Sequence, residues 1–179
     1  MNTADRVDRL CQNFAEQSEN LSMLRRAADA LAGNAERLGA WEAAPTDAER
    51  DVQDSFIFHF SKTVDVMSKR WFPQVLDYTD DLADWPTLRD RLHRLEKYGL
   101  LEAETWLELG QRRNAFEHDY PDDPRARGAA LRQAHEWLPE IEATWRRCHD
   151  WLVRKQGVPL PPWPAPDESL PKPPASAHS

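Results

Sequence analysis

The stretch ADRVDRLCQNFAEQSENLSMLRRAADALAGNAERLG, residues 4–39, decides the fold class. Within it Val7, Leu10, Phe14, Leu21, Leu24, Ala28 and Leu31 recur at spacings near three and four, so they share one face of a long amphipathic helix that Gly39 stops. A helix with one apolar face must bury it against other elements, and the remaining chain offers only helices. Thr46 with Glu49 three residues on has the pattern of a capping box and opens a second helix with the stripe Phe56, Phe60, Val64, Met67 and Trp71, which Pro73 is expected to end or kink. Asp84-Trp85-Pro86 is read as opening a short third helix that closes at Gly99.

A fourth helix runs from about Glu102 to His118, with Trp106, Leu109 and Phe116 inward. A fifth carries Leu131, Ala134, Leu138, Ile141, Trp145, Cys148 and Leu152 in a clean period, with a kink expected at Pro139. The pattern predicts an all-α, up-and-down helical bundle of four main helices plus a short one over residues 1–156. From Gly157 to Ser179 the composition changes: eight of the fourteen prolines fall in the last twenty-three residues, and this stretch is read as a disordered, partly polyproline II tail. Trp163 is then either a docking anchor for a partner or part of a functionless flexible end.

Composition narrows the function classes. Eight Trp and six Phe supply bulky core anchors for a 179-residue chain. Cys11 and Cys148 have no metal-ligand spacing and read as buried thiols of a reducing, cytoplasmic compartment. No apolar run is long enough to span a bilayer. The net charge of −8 argues against nonspecific nucleic-acid binding, but residues 89–135 carry nine basic and nine acidic side chains, and those nine cations, Arg112 and Arg113 among them, could form a basic groove or a solvated helix face.

The chemistry-bearing stretch is Arg112-Arg113-Asn114-Ala115-Phe116-Glu117-His118-Asp119-Tyr120-Pro121. Residues four apart share a helix face, so Asn114 lies one turn below His118, with Arg113 rotated about 100° from Asn114. Pro121 disfavours helical backbone at Tyr120, so the helix ends near His118, whose imidazolium is favoured by the carbonyl end of the helix dipole. Cleaving RNA without a metal needs a base for the 2′-hydroxyl, an acid for the leaving oxygen and a cation for the phosphate. One His supplies half of that, and a two-fold homodimer would supply the rest. Arg113 shares the rotational stripe of Trp106, Leu109 and Phe116, so it must be buried in the core or placed at an interface, which a dimer cleft would also satisfy. Asp119, Asp122 and Asp123 offer carboxylates beside His118, but Asp122 and Asp123 suit the N-cap and first turn of the next helix better than a metal site, and no metal or cofactor is expected. Of the other histidines, His59 reads as a packed or pocket residue among phenylalanines; His93, His135 and His149 are assigned to charged helix faces.

Arg113, His118 and Tyr120 together resemble the R-x4-H-x-Y signature of HEPN proteins of the HepT-like toxin group. The run Leu95 to Leu101 followed by Trp106 is similar to the segment that precedes the signature, and the aromatic helix from Asp51 to Trp71 takes the place of the second bundle helix. The likeness covers residues 5–155 in layout and 95–124 in motif detail. It implies a HEPN-like bundle and a metal-independent endoribonuclease toxin acting as a homodimer. Arg113 and His118 would be catalytic and Asn114 supporting. It also implies a partner nucleotidyltransferase antitoxin that silences the toxin by transferring AMP to Tyr120; the bulky anion would block a phosphate site by size and charge. The alternatives are a noncatalytic HEPN module that presents nucleotides or substrate to a partner enzyme, and a helical scaffold whose Pro-rich tail recruits proteins.

Overall fold

The computed structural model describes residues 3–38, 45–79, 86–118 and 123–163, the side chains of 36–38, 117 and 118 excepted. In chain order they form α1 (Thr3–Leu38), α2 (Asp47–Val66), a π-helical turn (Met67–Trp71), α3 (Phe72–Tyr78), α4 (Leu88–Lys97), α5 (Ala103–His118), α6 (Pro124–Glu136) and α7 (Leu138–Gln156). Every regular element among the described residues is helical. No described helix is long and apolar enough to cross a membrane.

Side-chain pairs fix the directions. Gln17 meets Thr63 while Arg6 meets Asp77, so α1 runs antiparallel to the α2–α3 rod. Phe60 meets Phe116 while Asp65 meets Arg113, which sets α5 antiparallel to α2. Trp106 donates to Thr144 while Arg147 reaches the Leu100 carbonyl, opposing α5 and α7. Arg25–Glu142 and the stacked rings of Phe14 and Trp145 oppose α1 and α7 and close the ring. The result is an up-and-down arrangement of four long rods, with α4 and α6 as shorter helices, one more than expected. At its centre Phe14, Trp71 and Trp145 pack with ring centroids 4.6–6.2 Å apart.

The polar residues inside have structural work. At the π-helical turn the ladder changes register, and the Thr63 carbonyl also accepts from the fully buried Gln17 amide, which Asn20 supports. That extra residue shifts the stripe, so the adjacent Trp71 and Phe72 are both buried. Pro73 consequently does not end the rod: it sits in the first turn of α3, where its missing N–H costs least.

Three sequence expectations change at element ends. The third helix opens at Leu88 rather than at Asp84-Trp85-Pro86, because Thr87 and Asp90 form the capping box; residues 84 and 85 lie outside the described residues. The long fifth helix is two helices interrupted at Trp137, with Pro139 in the first turn of the second. The third change concerns the tail. Gly157, at φ 70°, turns the chain back, and Val158, Leu160 and Trp163 are buried in the core. Residues 157–163 are therefore a strap on the bundle, so the packed chain does not stop at 156; residues 164–179 lie outside the described residues.

The strap corrects three side chains as well. Trp163 is packed against Phe14 and Trp145 with the Arg25 guanidinium 5.3 Å from its ring centre, so its occupant is this chain's own core. His149 is buried under the strap, its Nε2 3.0 Å from the Pro161 carbonyl, instead of on a charged face. Cys148 is buried and its thiol is pushed up to about 12 by burial, whereas Cys11 is only half-buried, 3.9 Å from the Pro159 carbonyl. His135 is half-buried beside Phe56, and desolvation lowers its pKa.

Gly99 closes α4 at φ 74°, with open space around its absent side chain. Its role is conformational. Gly99→Ala is expected to cost about 1 kcal/mol, the penalty of left-handed backbone alone, read as a lower urea midpoint with unchanged slope.

Candidate functional site

The site is built where α2 and its π-helical turn face α5. Glu96 at the end of α4 accepts from the Ala103 amide at 2.8 Å, and that bond, with His93, holds its carboxyl below the usual range. The start of α5 is thereby fixed. Trp106, hydrogen-bonded at 3.1 Å to the buried Thr144, fixes the middle. These two anchors set the rotation of the helix, and Arg113 emerges half-buried toward α2.

Its partner is Asp65. One Arg113 Nη donates to Asp65 Oδ2 at 2.6 Å, and the other donates to Asn114 Oδ1 at 2.8 Å. The same Asp65 oxygen accepts from Lys69 Nζ at 2.8 Å. A single carboxylate thus holds two cations, and the charge-assisted bonds orient the guanidinium. The inward register that pointed Arg113 to an interface is met within one chain, so that register no longer argues for a dimer.

Beside this pair lies a cavity of about 580 Å³. Its polar lining comes from Asp65, Ser68, Lys69, Arg91, Arg113 and Asn114, and Leu88, Trp106 and Leu107 supply the apolar wall. Three cations against one carboxylate favour an anion there. The cavity is open to solvent and of a size that suits a small organic ligand or one unit of a polymer.

Among the sequence candidates, Arg113 and Asn114 are together as expected. His118 is the last described residue of α5; its side chain lies outside the described residues, as do Asp119, Tyr120 and Asp122. Asp123 is an N-cap, its carboxylate accepting from the Ala126 amide at 3.0 Å. The anticipated basic groove is discontinuous. Arg89 and Arg112 pair with Glu104 and Glu108, Arg94 lies over the Tyr98 ring, and Arg127 is buried.

Asp65, Ser68, Lys69 and Arg91 were not singled out from sequence. For Asp65 there was a signal: it is the lone carboxylate between Asp54 and Asp77 and it borders the apolar stripe. Asp65→Asn is expected to weaken the fold by about 1–2 kcal/mol, since Arg113 is mostly buried and loses a charged acceptor. A urea midpoint unchanged by the substitution would show that the pair is idle. No family model, curated protein or solved structure matches this chain.

Proposed function

We propose that this chain is a metal-independent endoribonuclease of the toxin type, acting on RNA in the cytoplasm as a homodimer. The observation that carries the reading is Arg113, oriented by Asp65 at the rim of a cation-lined cavity, on the same helix that ends at His118. The reaction is attack of a 2′-oxygen on the adjacent phosphorus with loss of the 5′-oxygen. One imidazole takes the 2′-hydroxyl proton, a second imidazolium protonates the departing oxygen, and Arg113 balances the phosphate charge. Two protons must be handled by separate groups, so His118 from each of two copies is required. Asn114 keeps the Arg113 fork aligned.

The resemblance to HepT-like HEPN toxins adds the control. A nucleotidyltransferase antitoxin would transfer AMP to Tyr120, two residues from His118, and the adduct would exclude the substrate phosphate. The test is incubation of the protein with RNA in EDTA, with analysis of the new ends. Cyclic 2′,3′-phosphate and 5′-hydroxyl ends are expected; no cleavage at any protein concentration rejects the reading.

A second reading has its own observation. Both ends of the Arg113 fork already have acceptors in the free chain, and the cavity has an apolar wall. A noncatalytic module that holds a nucleotide for a partner enzyme fits that arrangement. Expression of wild type and His118→Ala separates the two: the nuclease arrests growth only with His118 intact, and the module arrests it with neither.

A further inference from the structure

Of the six phenylalanines, five are buried, and Phe58 is 61 % exposed. A solitary exposed ring would mean little. Its position gives it meaning. Seven residues are two turns of helix, so Phe58 and Asp65 lie on one face of α2, about 10 Å apart along the axis. Because α5 runs antiparallel with Arg113 at Asp65 and Phe116 at Phe60, Phe58 draws level with the C-terminal turn of α5, where His118 stands.

The charges along this face are graded. On the N-terminal side of Phe58 lie the exposed Asp51 and Asp54; on the C-terminal side lie Lys62, then Asp65 neutralised between Arg113 and Lys69. An anionic strand is thus drawn from Phe58 toward Arg113 and away from the start of α2. Among the described residues the ring in contact with Phe58 is His59, nearly perpendicular at 5.2 Å. Desolvation and Lys62 lower the His59 pKa, which keeps that neighbour uncharged at neutral pH.

We propose that Phe58 is a stacking platform for one unpaired base of an RNA strand whose phosphate lies at Arg113 and Lys69. This rests on the nuclease reading and adds its substrate class: single-stranded rather than duplex RNA, since a base must leave its own stack to lie on a side chain. A second copy of the chain is the rival occupant of the ring. The surroundings of the ring speak against it. Among the described residues the other large exposed apolar side chain is Leu88, 40 % exposed at the cavity, so the ring has charged neighbours and no apolar patch that would make it the core of the dimer contact.

The experiment measures binding of a fluorescent single-stranded 2′-O-methyl RNA, which has no free 2′-hydroxyl to attack and so remains intact. Phe58→Ala is expected to weaken binding roughly tenfold or more, the usual scale for one base–aromatic stack, and Phe58→Trp to keep it. A duplex of the same sequence should bind more weakly than the strand and be indifferent to Phe58. Sedimentation of each variant should match wild type. Four results overturn the platform: equal binding by Phe58→Ala, full rescue by Phe58→Leu, sensitivity of the duplex to Phe58, or an altered oligomeric state. The first two leave the nuclease reading intact if wild type still cuts RNA in EDTA. Absence of binding by wild type removes both.

Discussion

Arg113→Ala and His118→Ala are each expected to lower the rate of the proposed RNA cleavage in EDTA by about 10²-fold or more, the usual scale for one electrostatic or acid–base group. The Arg113 variant is a fair test of chemistry because Asp65 keeps Lys69, 2.8 Å away, as its cation when the guanidinium is removed. Protein carrying AMP on Tyr120 should be as inactive as either variant, with an unchanged circular dichroism spectrum. The four proteins are compared on one RNA. Equal rates for all four, or no cleavage by any, would leave the binding-module reading in front. Mixing the two inactive variants adds a further expectation: mixed dimers hold one His118, so they stay inactive, and recovered activity would show that a single imidazole suffices.

The second large effect concerns the strap. Trp163→Ala is expected to destabilise the protein by about 3 kcal/mol, the lower end for removing a buried tryptophan, and to lower the melting temperature by roughly 6–12 °C. The ring touches Phe14 and Trp145 and lies under Arg25, so its loss opens a cavity at the edge of the central aromatic cluster. Truncation after Gln156 removes Val158 and Leu160 too and should cost more. Truncation after Trp163 keeps all three. Equal melting of the 156 and 163 truncations would show that the strap contributes nothing to the fold.

The difference between what the sequence revealed and what it concealed has a physical pattern. Stripes such as Phe56, Phe60, Val64 and the Thr46–Glu49 capping box are local: the interacting partners lie within one or two turns, and each appears as expected. The Thr87–Asp90 box was equally local and was overlooked in favour of Pro86. Asp65 is different in kind, because its partner is 48 residues away and only the rotation of α5 against α2 brings them together. The strap misled for a third reason. Proline-rich composition speaks against regular structure, yet a chain without a backbone ladder can still bury Val158, Leu160 and Trp163 when a preformed groove receives them. The Arg113–Asn114 pair was legible from spacing alone, while the second cation at Asp65 was not.

The strap also determines how the protein's motions can be observed. Between Gly157 and Trp163 three of seven residues are prolines, so four backbone amides remain, and those of Val158 and Leu160 bond only to nearby carbonyls. Lifting the segment from the bundle therefore need not break a single helical hydrogen bond, and amide exchange along α1 and α7 would register little of it. Indole fluorescence would register much more, since departure of Trp163 wets Trp145 and uncovers Phe14. A protein that looks rigid by exchange and loosened by emission at the same denaturant concentration is the signature this architecture produces: an opening held shut by side chains, independent of the helical ladder beneath it.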